Sequence, residues 1–163
     1  MPLPTAEDIV SRYPLLFTPR EGGAHKSPSF HFEHGPGWFN IIDALCAALY
    51  AHYDSARARY EHLRSREGLP TKYAATPVTA VTVEKARLDM YRAGLELPRV
   101  IQVKEKFGDL RFYVDHGDNQ IFALIEMAAY LSAATCEKCG APGTRRDGGW
   151  IKTLCDEHHA KKP

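Results

Sequence analysis

Cys136–His159 reads CEKCGAPGTRRDGGWIKTLCDEHH and holds three of the chain's four cysteines. Cys136 and Cys139 stand in a C-x-x-C-G knuckle, and Cys155 and His158 in a C-x-x-H pair. Two donors three positions apart on a tight turn aim at one centre, and the glycine that follows permits the turn. A second pair, brought alongside by a hairpin, completes a tetrahedron of three thiolates and one imidazole, the donor set of zinc. Four protein donors leave no position for water, which is the pattern of a structural Zn2+ rather than a catalytic one. His159 is the alternative fourth ligand.

Between the two pairs, Asp147-Gly148-Gly149 marks a hairpin turn with strand-compatible flanks. Cys155 then opens a short helix, Asp156-Glu157-His158-His159-Ala160. Knuckle, hairpin, helix: this order resembles a treble-clef zinc finger, whose last two ligands come from the first turn of a helix. HNH nucleases use the same scaffold with a catalytic histidine on the hairpin. Here the hairpin carries Arg145, Arg146 and Asp147 but no histidine, so no catalytic residue is assigned. Arg145, Arg146, Trp150 and Lys152 are candidates for partner contact, with cations for phosphate and an aromatic ring for stacking. Glu137, Asp147, Asp156 and Glu157 dilute that charge. Trp150 is expected instead to cover the metal and to dock the module.

Upstream, the patterning predicts an α+β domain. Thr5-Ala6-Glu7-Asp8 is a capping signal for a short helix ending near Pro14. Leu15, Leu16 and Phe17 form an apolar plug. Residues 18–29 read as a loop, and Phe30–His34 alternates like a short strand. Trp38 begins the longest helix, with Ile41, Ile42, Leu45, Cys46, Leu49, Tyr53, Ala56 and Tyr60 on one stripe. Cations from Arg57 to Arg66 gather at its end, where they suit the helix dipole. Residues 67–77 read as a linker. Residues 78–82 favour strand or irregular chain, followed by a helix to about Ala93 with Gly94 just past it.

Arg99–Lys106 and Leu110–Asp115 form the strongest hairpin signal, turning at Gly108-Asp109. Ile101, Val103 and Phe107 are expected on the buried side with Leu110, Phe112 and Val114. Gln102, Lys104, Lys106, Arg111 and Tyr113 are expected on the wet face. Asp118 caps a last helix to about Ala134, with Ile121, Leu124, Ile125, Ala128 and Leu131 buried. The expectation is a small antiparallel sheet with two main helices over residues 1–134, and a treble-clef-like zinc module over 135–163 docked on it.

The chain has 163 residues, 44% hydrophobic and 25% charged, with a formal net charge of +1. That balance suits an ordinary globular protein and gives no global argument for nucleic acid or for a membrane. Cysteines grouped with a histidine favour a metal and a reducing cytoplasm over disulfides. The N-terminus lacks the basic and apolar regions of a signal peptide, and no apolar run is long enough to span a bilayer. Cys46 reads as an inert core thiol. His25, His31 and His34 form a weak second metal pattern, and Asp115-His116-Gly117-Asp118 a weak acid–base one.

Three blocks, together spanning about Tyr13 to His158, resemble a family of small phage- and prophage-encoded proteins. They are Gly37-Trp38-Phe39 with Ile41-Ile42-Asp43 and Leu45-Cys46; Gln102 through Tyr113; and Cys136 through Gly143 with Gly149-Trp150 to Cys155. The resemblance implies a phage-type origin and a zinc site, and it implies no catalytic residues. Small phage accessory proteins often occupy a surface of a host or defence protein, anti-CRISPR proteins among them. The expected function is therefore non-enzymatic binding of a macromolecular partner, a protein first and nucleic acid as the alternative.

Overall fold

Thr5 caps the first helix, α1 (Ala6–Arg12), in a reciprocal capping box with Asp8. The Thr5 amide donates to Asp8 Oδ2 at 2.8 Å, and the Asp8 amide to Thr5 Oγ1 at 3.2 Å. These bonds satisfy amides that a helix start leaves unpaired. Pro14 opens a second single-turn helix, α2 (Pro14–Phe17), at a position where its missing N–H costs nothing. Leu16 of the plug is fully buried. The computed structural model describes residues 3–19, 32–69, 78–147 and 149–161. The expected loop at 18–29 and the linker at 67–77 therefore fall largely outside the described residues, as do Phe30 and His31.

The described chain forms two compact units, Met1–Leu49 with Pro98–Pro163, and Tyr50–Leu97. In the first unit, β1 (Phe32–Glu33) precedes a 3-10 turn over Pro36–Trp38, and α3 (Phe39–Arg64) starts there and continues from Tyr50 as part of the second unit. Trp38 lies in that turn, one residue before the helix expected to begin with it. Its indole is fully buried and donates to the Thr135 carbonyl at 2.8 Å. Ile42, Leu45, Cys46 and Leu49 of the predicted stripe are buried, whereas Ile41, Tyr53, Ala56 and Tyr60 are only partly so.

The predicted hairpin is present as β2 (Val100–Lys106) and β3 (Asp109–Val114). Val103 faces Phe112 and Glu105 faces Leu110 across it. A bulge between Val100 and Gln102 corrects the expected alternation, since it turns Ile101 outward. The turn also shifts by one residue. Lys106 pairs with Asp109, so Phe107 and Gly108 make it, at φ 55° and 83°. A two-residue turn with both φ positive matches the twist of its strands. Phe107 is consequently exposed rather than buried.

β1 adds to β2 in parallel, Phe32 beside Val103, so the three-stranded sheet is mixed and only its hairpin is antiparallel. The Phe32 ring anchors that edge against Phe17 and Phe39, with centroids 5.8 and 5.5 Å away. The Asp118 side chain caps α5 (Asn119–Ser132) by accepting from the Ile121 amide. Ala128 and Ser132 are buried, but Leu131 is exposed, contrary to the predicted stripe. Ser132 takes its place because its hydroxyl accepts from the Leu110 amide at 2.9 Å and donates to the Ala129 carbonyl at 2.6 Å. That tie between α5 and β3 cannot be seen in a hydrophobic pattern.

In the second unit, Tyr50 is buried and α4 (Ala80–Glu96) forms. Residues 78–82 are not a strand. Thr79 caps the helix by accepting from the Thr82 amide, which outweighs the β preference of Val81, Thr82 and Val83. Gly94 lies inside α4, which stops at Glu96 before Pro98. With α3, α4 and α5 there are three long helices among the described residues rather than two. None is long and apolar enough to cross a membrane.

Candidate metal centre

The C-terminal segment is built in the predicted order. The knuckle closes on itself: the Gly140 amide donates to the Cys136 carbonyl at 2.9 Å, and the Cys136 amide to the Ala141 carbonyl at 2.7 Å. Gly140 supplies the turn with φ 77°. Then β4 (Thr144–Arg146) pairs antiparallel with β5 (Lys152–Leu154), and α6 (Asp156–Ala160) starts directly after Cys155. The knuckle is bound to this hairpin through the Glu137 amide and the Thr153 carbonyl, 2.9 Å apart.

This scaffold brings the donor atoms of Cys136, Cys139, Cys155 and His158 within 4.8 Å of one another. Cys139 Sγ lies 3.9 Å from Cys155 Sγ, while His158 Nδ1 lies 3.6 Å from Cys136 Sγ and 3.1 Å from Cys155 Sγ. A tetrahedral ion with bonds of about 2.3 Å to sulfur and 2.0 Å to nitrogen has edges of roughly 3.5–3.8 Å. Two of the three edges lie close to that range, and the 3.1 Å edge would widen by a few tenths of an ångström on ligation. The cysteines are free thiols rather than disulfide partners. His159 is not part of the cluster; its Nδ1 is buried elsewhere without a hydrogen-bond partner.

The electrostatics favour a cation. Burial pushes the Cys136 thiol up, but the amides of Cys155, Cys139 and Lys138 outweigh it and bring the thiol down to about 6. For Cys139, the Ala141 amide pulls down, yet burial and the neighbouring Cys136 and Cys155 side chains lift the net value. One thiolate thus forms readily and hinders the next. A cation between Cys136 and Cys139 would offset that repulsion.

An ion pair with a buried carboxylate and a partly exposed ammonium sits beside the centre. Glu137, with its side chain only 5% exposed, accepts from the Gly35 amide at 2.8 Å and from Lys152 Nζ at 2.9 Å. Replacing Lys152 with methionine keeps the apolar stem and strips the carboxylate of its ion partner. The expected loss is about 2 kcal/mol of unfolding free energy, measured by urea denaturation. A loss below about 0.5 kcal/mol, the range of ordinary surface changes, would refute the pairing.

The hairpin residues proposed for partner contact divide. Lys152 is engaged by Glu137, and Arg146 donates to the Leu154 carbonyl and to Asp156, clamping the hairpin to α6. Arg145 is half-exposed beside Asp147. Trp150 does not cover the metal: it is 80% exposed, and its indole N–H donates to Glu105 Oε2 at 3.3 Å. The missed neighbour is Phe107, 58% exposed. An F-G pair between two matched strands is the signal that could have found it.

The remaining patterns have structural roles. His34 stacks on Trp38 and meets Phe32 and Phe39 edge-on, with Nδ1 2.7 Å from the Gly35 carbonyl. Burial lowers its pKa. His25 and His31 lie outside the described residues. Asp115 accepts from the Arg99 amide and bonds His116, while Asp118 caps α5. Cys46 is buried, and its thiol is pushed far above the usual range by burial.

Fold and site together define an α+β protein with a C-terminal Cys3His cluster able to hold a metal ion. No protein-family model, curated protein or solved structure matches the chain.

Proposed function

We propose that the chain is a non-enzymatic, zinc-stabilised accessory protein of phage type. It acts by binding a macromolecular partner, a host or defence protein, in the manner of an inhibitor such as an anti-CRISPR. Zinc is the ion of choice because three thiolates and one imidazole at tetrahedral spacing suit it. Cys136, Cys139, Cys155 and His158 would hold it, and the ion would act as a crosslink. Free thiols at the site suit a reducing compartment, the host cytoplasm.

The protein partner rests on α5. Phe122, Met127, Tyr130 and Leu131 are all exposed on a helix whose one charged residue is Glu126. Met127, Tyr130 and Leu131 stand three or four positions apart and so share one side of the helix, and large apolar side chains exposed together mark a contact surface. Wild type and a Met127→Glu/Tyr130→Glu variant, captured side by side from nuclease-treated host lysate, test the reading. The expected result is one protein held at a fixed ratio by wild type and lost by an equally stable variant. Equal capture by both, or no specific capture, rejects it. The nucleic-acid alternative retains Arg145 and Trp150 of its four proposed residues.

A further inference from the structure

Two hairpin tips meet beside the metal module. The β2–β3 turn is fastened to β5: Thr153 Oγ1 donates to the Gly108 carbonyl at 2.8 Å, and Thr153 is buried. Glu105 secures both tips. Its Oε1 accepts from the Gly108 amide at 2.8 Å and its Oε2 from the Trp150 indole at 3.3 Å. These contacts hold Phe107 at φ 55°, the one non-glycine residue with positive φ among those described. A bulky side chain in that region is strained, and such strain gathers at ligand sites. Here it displays a ring in water instead of burying it. Across the tips, Trp150 is displayed likewise.

Phe107 and Trp150, with Glu105, Lys106 and Ile151, line a cleft of about 350 Å³. That is the small end of ligand pockets, which run from roughly 300 to 1,000 Å³. That volume is enough for a single planar base. Each part of the lining has a counterpart in a nucleotide. The aromatic rings offer stacking surfaces, and a base has a π-face. The Glu105 carboxylate keeps lone pairs beyond its two bonds and accepts N–H from an exocyclic amine, as carboxylates do from cytosine. The Lys106 ammonium, 5.5 Å from the Phe107 centroid, supplies a cation for the adjoining phosphate. A protein arginine would also stack and pair with Glu105, but it would set a second cation against Lys106.

We infer that the cleft between Phe107 and Trp150 takes an unpaired, amino-bearing nucleobase of a single strand, a site separate from the apolar face of α5. The chain has two tryptophans, and Trp38 is buried, so quenching of the exposed indole reports on Trp150. The full chain, purified with its metal, is titrated with short oligo-dC, oligo-dA and oligo-dT at low ionic strength. Oligo-rC serves as the arm that separates RNA from DNA. Oligo-dC and oligo-dA are expected to quench saturably and to bind more tightly than oligo-dT, which has no exocyclic amine. Phe107→Gly keeps the turn, because glycine is at home at positive φ. It is expected to weaken oligo-dC binding about tenfold or more with no loss of thermal midpoint. Glu105→Gln is expected to narrow the preference for oligo-dC over oligo-dT. The inference is overturned by no quenching with any oligonucleotide, by undiminished binding in Phe107→Gly, or by quenching with N-acetyl-arginine amide alone. None of these outcomes bears on protein capture by α5.

Discussion

Cys139→Ser is expected to destabilise the protein by more than about 4 kcal/mol, although Cys139 is exposed. An exposed cysteine with no metal tolerates serine within about 0.5 kcal/mol. The size of the effect therefore separates a ligand from a surface thiol. Serine is a poor ligand beside two thiolates, and the remaining donors no longer enclose the ion. The buried side chains between Cys136 and Leu154 are few. A segment so poor in apolar burial would depend on a bound ion for its folding free energy. The thermal midpoint should fall by on the order of 10 °C. Hydrogen exchange should rise first between Cys136 and Lys161, because the loss is local. A strong chelator should reproduce this in wild type.

Gly37→Ala is expected to be the second most damaging change, at about 3 kcal/mol or more. A Cβ on Gly37 would lie 2.2 Å from the Cys136 carbonyl oxygen, 2.5 Å from the Gly140 amide and 2.7 Å from the Cys139 amide. All three are backbone atoms of the knuckle, so no side chain can swing away. The Gly37 amide also donates to the Glu137 carbonyl at 2.7 Å. Moving either strand breaks that bond or distorts the ligand turn. Guanidinium unfolding together with metal content measures the effect. The expected variant is destabilised and holds metal weakly, and wild-type stability would refute the close approach.

The two largest effects differ in how far they can be seen in sequence. Cys136, Cys139, Cys155 and His158 are legible because ligation imposes local spacing, and the choice of His158 over His159 needs only the first turn of α6. The β2–β3 hairpin and the α5 cap are legible for the same local reason. Gly37 is not, because its constraint comes from chain about a hundred residues away, as with the bond from Gly35 to Glu137. The parallel pairing of Phe32 with Val103 is equally non-local. Ile101 and Phe107 mislead because a bulge and a one-residue shift of the turn reverse their faces, while hydrophobic alternation alone assumes neither. Trp150 misleads because a large aromatic beside a metal site suggests burial. Its indole instead binds Glu105, on a separate hairpin. The Thr79 cap shows local chemistry overriding composition, since three β-branched residues in a row still begin a helix.

The fold of the C-terminal segment turns on whether the Cys3His cluster holds a structural ion. Native mass spectrometry of the protein purified under reducing conditions, paired with elemental analysis, tests this most directly. One zinc ion per chain is predicted in wild type, with its loss in Cys139→Ser. A metal-free wild-type chain whose thermal midpoint is indifferent to added zinc and to chelator would contradict it.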